Sequence, residues 1–409
     1  MNLLTELKEG LLLSWEAIRA NKLRSVLTTL GIIIGIVTVT LMGTALEGLN
    51  RAFLQSISFM GADVLYVDRF NWLNDSEADW MRAQKRRVIS LAQATSLERQ
   101  LSLARAVAPA AFTGGPVQYQ KLRANGVEII GTTEQFLLTS GVSLAQGRFL
   151  SPPEVQGGRP ACVIGSQVAT NLFPREPATG KKITIGPRAF EVVGVLEKRG
   201  TFLDGESLDN QVIIPLKQFT AGFWTYPDYQ IHVKVKDLAQ LDEAKEELRS
   251  LMRKIRRLKP SEPDDFAINQ QEQFVAMFHR VAGTIAAVGF FITGLSLFVG
   301  GIGIMNIMFV SVAERTREIG IRKAIGAKRR TILVQFLIEA ACICLLGGLV
   351  GLGLAWPVTL IMQKFLPVVL SPAVISLAVL VSLVTGVLSG FFPAWRAARL
   401  NPVDALRSE

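Results

Sequence analysis

Four stretches of this chain are apolar over a length that matches the hydrocarbon core of a bilayer, and they limit what it can fold into. They are Val26 to Leu46, about Val281 to Val310, Thr331 to about Val358, and Ala373 to Phe392. Together they hold a single charged side chain, Glu339. At 1.5 Å rise per residue the first would be about 31 Å long as a helix, enough to cross the core. Within lipid every backbone N–H and C=O needs a partner in its own segment, so such runs are helices. A cleaved leader is the alternative for the first run. That leader would be unusually long, and the run exceeds a typical leader core.

Residues 1–25 read as an amphipathic helix at the cytoplasmic membrane surface. Leu4, Leu7, Leu11, Trp15 and Ile18 form its apolar stripe, and Arg19, Lys22 and Arg24 mark the inner boundary. The first span and a stalk occupy 26–61. The apolar period continues through Leu49, Phe53 and Ile57 until Gly61 stops it. A second stalk and span occupy 271–310, with Asn269 and Glu272 read as the cap of that helix. The third and fourth spans are 331–358 and 373–392, joined by a short outer loop at 359–372, and 393–409 is a tail.

Between the first two spans lies a large domain, 62–270. No run in it approaches a span in length. The chain is 49% hydrophobic and 19% charged, with a mean hydropathy of +0.34, as expected for a membrane protein with a sizeable water-exposed part. Short strands separated by Gly and Pro are predicted at Asp63–Val67, Ala161–Ile164, Lys182–Ile185, Phe190–Leu196 and Gln230–Val235, and the Gly/Pro-rich half is about 130–214. Asp237 to Lys259 reads as an amphipathic helix, capped by Asp237 with Gln240 and ended by Pro260. The predicted fold is therefore an α-helical membrane protein with four transmembrane helices and a large extracytoplasmic α+β domain between the first and second.

The segment 311–330 is the most basic outside that domain. Arg315, Arg317, Arg322, Lys323, Lys328, Arg329 and Arg330 lie within it. The inner segments carry 14 Lys and Arg and the short outer loop one, which puts both termini and 311–330 in the cytoplasm. The segment also reads as a helix. Glu314–Arg317, Arg315–Glu318 and Glu318–Arg322 are spaced to pair, and Gly326 is placed to end it. Its plain reading is a solvated loop that fixes orientation. The sharper one is a docking element for a cytoplasmic partner, because Ile319, Ile321 and Ile325 give it more apolar surface than an anchor needs.

The net charge of +10 raises nucleic acid as a partner, but no aromatic residues interleave with the bases. No GxxxxGK[ST] phosphate loop, GxSxG elbow or HExxH metal helix occurs in these 409 residues. His232 and His279 stand apart and read as structural. Cys162, Cys342 and Cys344 suggest no disulfide framework. Glu339 lies inside the third span, where a carboxylate is a functional candidate. A structural hydrogen bond to another span is preferred, with Asn306 as its partner.

Four stretches then carry a resemblance. They are RANKLRSVLTTLGIIIGI at 19–36, QGRFLSPPEV at 146–155 with FEVVGVLEKRG at 190–200, GGIGIMNIMFVSVAERTREIGIRKAIGAKRRTILVQFLIEA at 300–341, and FFPAWRAARLNPVDALRSE at 391–409. In this order they resemble the permease part of the MacB type of ABC transporter, a group that also holds lipoprotein-release permeases and FtsX-like proteins. The resemblance implies that 311–330 holds a coupling helix gripped by an ATPase, through Glu314, Arg315, Thr316, Arg317, Glu318, Ile319, Gly320 and Arg322. It also implies an outer domain divided into a porter-like α/β part and a β-rich sabre-like part, the latter at about 130–214. Two copies, or two homologous permeases, would work as a pair in a bacterial inner membrane. No cofactor would be bound by the chain itself, since ATP would sit on a separate ATPase subunit. A periplasmic adaptor of the membrane-fusion type and an outer-membrane duct are further implied partners. The implied activity is export of a drug, peptide or lipid-linked substrate. Lipoprotein release, and mechanical control of a cell-wall hydrolase without transport, are the alternatives.

Overall fold

A computed structural model describes residues 22–73, 77–201, 207–365 and 367–407. The amphipathic helix expected at the N-terminus lies outside them, apart from its last few residues. The chain forms two compact units, one of residues up to Ala52 together with His279 onward, the other Phe53–Phe278.

The first long helix, α1, spans Lys22–Ile57. In the Phe53–Phe278 unit follow β1 (Val64–Asp68), α2 (Leu91–Gln100), β2 (Ala104–Tyr119), β3 (Leu122–Thr132), β4 (Leu144–Gly147), β5 (Ala161–Ile164), β6 (Lys182–Ile185), β7 (Arg188–Leu196), β8 (Gln211–Pro215), β9 (Gln230–Val235), α3 (Leu241–Ile255) and β10 (Ala267–Gln270). Short helices connect several of them. Then come α4 (Gln271–Glu314), α5 (Thr316–Ala324), α6 (Arg329–Met362) and α7 (Pro372–Arg399), and a last short helix, Pro402–Arg407. Of these, α1, α4, α6 and α7 are long and apolar enough to cross a membrane, one before and three after the sheet-containing unit.

The strands form one path, β10-β1-β9-β2-β3-β8-β5-β7-β4, with β6 bridging β2 and β7. Alternate residues enter opposite cores. Val107, Ile129, Cys162, Ile164, Val212 and Ile214 lie in one, while Ala108, Ile130, Val163 and Ile213 lie in the other. Helices and loops thus cover the middle of the sheet on both faces, which explains why these strands read as unbroken apolar runs. The strands of the β-rich part expected at about 130–214 pair chiefly with one another and with β2 and β3. Its strand β8 pairs in parallel with β3, which begins at Leu122.

Three local expectations are corrected. Asp237 caps a single 3₁₀ turn, accepting from Ala239 N at 3.0 Å, so no box forms with Gln240. Helix α3 stops at Ile255, well before Pro260. The next side chain, Arg256, turns inward and is fully buried against Asp265, and Arg257 adopts φ 53°. Asn269 is not a helix cap but a buried residue of β10. Its amide donates to Phe70 O at 2.9 Å and accepts from Trp72 N at 3.2 Å, fastening the loop after β1.

The ends of α1 and α4 that belong to this unit meet beside that loop. Phe53 and Phe278 stack with ring centres 4.5 Å apart, and Ile57, Met60, Val64 and Tyr66 complete the cluster, with Trp72, Phe274 and Val275 against it.

In the other unit the long helices approach closely at small residues. A Cβ on Gly31 of α1 would lie 2.9 Å from the Cα of Gly300 in α4, and one on Gly386 of α7 would lie 2.8 Å from the Cα of Ala341 in α6. Gly301 also makes a tight contact, with Ser389, whereas Gly294 meets no neighbour within 4 Å. Ser382 of α7 donates to the Cys344 carbonyl of α6 at 2.6 Å.

Candidate functional site

Helix α4 ends at Glu314, and Arg315, at φ −101° and ψ 16°, turns the chain into α5. Thr316 fastens that corner. Its hydroxyl donates to the carbonyls of Val312 (3.0 Å) and Ala313 (2.9 Å) in the preceding turn. Gly326 closes the other end with φ +103°. Its N–H donates to Lys323 O and that of Ala327 to Arg322 O, both at 3.0 Å, so the last carbonyls of α5 are satisfied.

The two faces of α5 differ in kind. Ile319 and Gly320 are buried, and Ile319 shares a core with Val312, Ile332, Phe336, Ala397 and Ala398. The opposite face shows Arg317, Glu318, Ile321, Arg322 and Ile325 to solvent, with Glu314 exposed just before it. Glu318 and Arg322 pair across one turn, and Arg322 also donates to Gln335 Oε1 of α6 at 2.9 Å.

Two further contacts hold this short helix to the spans. Arg315 Nη1 lies 3.4 and 3.3 Å from the two oxygens of Glu339 on α6. The Glu339 side chain is 2% exposed and that of Arg315 22%. Lys323 Nζ donates to the carbonyls of Ala398 (2.7 Å) and Leu400 (2.5 Å) at the end of α7. A cation there also meets the negative end of that helix dipole. The Pro402–Arg407 helix packs on α5 as well, with Ala405 buried. A displacement of α5 would therefore pull directly on α4, α6 and α7.

The eight residues singled out from the sequence thus divide. Arg315, Thr316, Ile319 and Gly320 hold the element to the protein, while Glu314, Arg317, Glu318 and Arg322 present a surface. Arg315 pairs with Glu339 rather than with Glu318. Glu339 does bond to another segment, but Asn306 is exposed on α4 and is not its partner. Lys323 was legible only as one base among seven, since its acceptors lie some 75 residues away. Among the described residues no three His, Cys, Asp or Glu side chains converge as a metal site.

Comparison with known proteins adds the following. Residues 25–251 match the model of the MacB-like periplasmic core domain, and residues 290–402 that of the FtsX-like permease C-terminal domain. The macrolide export ATP-binding/permease protein MacB of Neisseria gonorrhoeae (strain ATCC 700825 / FA 1090) is 35% identical over 412 residues, covering 98% of this chain and 61% of that protein. The protein of the same name from Escherichia coli O6:K15:H31 is 33% identical over 416 residues, again 98% and 61%. The chain thus spans about three fifths of the length of these relatives. Among solved structures, the periplasmic region of MacB from Actinobacillus actinomycetemcomitans aligns with a TM-score of 0.45 at 19% identity, over 56% of this chain and 97% of that one.

Proposed function

The chain belongs to the family of multi-pass membrane proteins that join a MacB-like periplasmic core domain to an FtsX-like permease domain, and from that premise we propose that it is the permease subunit of an ATP-driven exporter. A separate ATPase polypeptide docks on the exposed face of α5, and hydrolysis moves the periplasmic domain so that a drug, peptide or lipid-linked substrate is expelled. The chain works as one of a pair, with both termini in the cytoplasm. An adaptor and an outer-membrane duct extend the path. The relatives named for macrolide export support this class of cargo.

The observation that carries the reading is the division of α5. One face is bound to three membrane helices through Ile319, Arg315 and Lys323, and the other offers Arg317, Glu318 and Arg322 outward. An element that merely fixed topology would need the bases but not the buried face. The two stalks fit the same role, since a continuous helix transmits a displacement that a flexible linker would absorb.

Tagged chain extracted from its host membrane is expected to bring an ABC-type ATPase with it. Reversing charge at Glu318→Arg and Arg322→Glu should cut that retention at least tenfold and sensitise cells to the exported compound. Full retention after reversal, or after Thr316–Ala324 is replaced by glycine and serine, refutes the docking role.

A further inference from the structure

The Phe53–Phe278 unit contains a cavity of about 680 Å³, a volume typical of small-molecule sites. Aromatic side chains dominate one side. Around His232 stand Tyr66, with ring centres 4.6 Å apart, Phe136 at 5.3 Å and Phe112 at 6.5 Å, and Trp72 lies 4.9 Å from Tyr66.

A chain of hydrogen bonds fixes the state of the histidine. Asp68 Oδ2 accepts from Gln230 Nε2 at 2.8 Å and from Trp72 Nε1 at 3.3 Å. With its amide nitrogen so engaged, Gln230 turns its carbonyl oxygen to His232 Nε2 at 2.7 Å. An amide oxygen only accepts, so Nε2 carries the proton and Nδ1 is a bare acceptor. Burial pushes the imidazole down to about 3, so it stays neutral at ordinary pH.

His232 Nδ1 has no protein partner although the residue is 5% exposed. The same holds for the Gln211 Nε2 donor, also on a residue 5% exposed, and for the Asn210 Oδ1 acceptor. All three residues line the cavity. Buried polar atoms in native proteins are almost always paired, so a cluster of three points to something that pairs with them. Glu128 and Arg199 give the lining one charge of each sign, which selects neither anion nor cation.

We propose that this cavity binds an uncharged amphipathic molecule. Its apolar body lies on the aromatic wall, its hydroxyl or N–H groups donate to His232 Nδ1 and Asn210 Oδ1, and an oxygen accepts from Gln211 Nε2. From the sequence alone His232 reads as structural, because nothing local to it reveals Gln211 or Asn210 nearby. The role of the site in capturing cargo rests on the export reading, but the binding itself does not.

The test uses full-length chain in nanodiscs with two uncharged probes, 4-methylumbelliferyl β-D-glucoside and digitoxin, by equilibrium dialysis against empty nanodiscs. At least one should bind with a Kd below about 1 mM. His232→Leu and Gln211→Leu should each weaken it at least tenfold, with circular dichroism confirming the fold. If His232→Leu does not fold, Gln211→Leu decides. Binding of neither probe, or equal binding by folded variants, overturns the proposal. No ATPase is present, so binding without ATPase retention would count against the export reading alone, and the reverse against the cavity alone.

Discussion

Replacing Arg315 by Met removes the cation facing Glu339 and leaves a carboxylate that is 2% exposed among apolar neighbours. Breaking a buried ion pair from one side costs about 3–5 kcal/mol. The contacts here are long, 3.3 and 3.4 Å, both from one nitrogen, so the lower end, about 3 kcal/mol, applies. Glu339→Gln keeps an oxygen for Arg315 and forfeits only the charge assistance, about 1 kcal/mol. Arg315→Met with Glu339→Met removes both desolvated charges and is expected to be within about 1 kcal/mol of the parent. Unfolding of the purified chain in mixed micelles, titrated with a denaturing detergent, measures all three. The clamp also predicts a dissociation of readouts. On the proposed export function, the double Met variant should unfold like the parent yet lose much of the coupling between ATP hydrolysis and export, because the ion pair that ties the α4–α5 corner to α6 is gone. If Arg315→Met lies within 0.5 kcal/mol of the parent, or if the double variant is as unstable as the single one, the pair does not hold α5 and the reasoning fails.

Gly31→Ala puts a Cβ 2.9 Å from the Gly300 backbone and should cost about 1–3 kcal/mol by overpacking, read in the same micelle titration. Arg256 is wholly enclosed and donates to Asp265 and to the carbonyls of Arg87 and Val88. Arg256→Met should destabilise the periplasmic domain by about 3–5 kcal/mol, seen as early protease cleavage between 62 and 270. Hydrogen bonding from Arg148 holds the Glu154 carboxyl down to about 2 from an ordinary 4.5. Because the folded value is the lower one, this stabilisation is present above about pH 4.5 and fades as pH falls toward 2, and with Arg148 half-exposed to solvent it amounts to about 1–2 kcal/mol. Glu154→Gln should flatten the stability profile between pH 4.5 and 3, and an unchanged slope in urea titrations would exclude the pair as its source. Inserting Gly-Pro at Gln55–Ser56 breaks α1 within its stalk and, on the proposed export function, should abolish export while the proposed partner's ATPase activity persists. Normal export in that variant counts against a lever.

What could be read from the sequence was whatever depends on neighbours close along the chain. The four apolar runs, the strands Ala161–Ile164, Lys182–Ile185 and Gln230–Val235, and the turn at Gly326 all follow from periodicity or from one residue's backbone freedom. The helix α3 shows where such reading stops. Its apolar stripe of Leu238, Leu241, Leu248, Leu251, Ile255 and Leu258 was plain from spacing, but of these only Leu248 is buried, beside Ala244 and Met252, and the end of the helix was not legible. Pro260 looked like the terminator, yet the helix stops earlier because Asp265 and two carbonyls 169 residues and 168 residues distant capture the Arg256 guanidinium. A polar side chain chooses among acceptors that the fold brings to it, and no local pattern lists them.

The same physics shapes the α4–α5 corner. Arg315 lies three residues from Glu318, a spacing that favours pairing on an isolated helix by only about 0.2–0.5 kcal/mol. Glu339 lies 24 residues away, and once α6 packs beside the α4–α5 corner it is a carboxylate shut off from water. The need of that buried charge for a cation exceeds anything a solvated Glu318 can offer, so the arginine turns inward. Glu318 is thereby released to Arg322 on the outer face. An intramembrane acid thus decides which charges the protein pairs internally and which it leaves exposed, and changing Glu339 should alter the surface of α5 without touching a single residue on it.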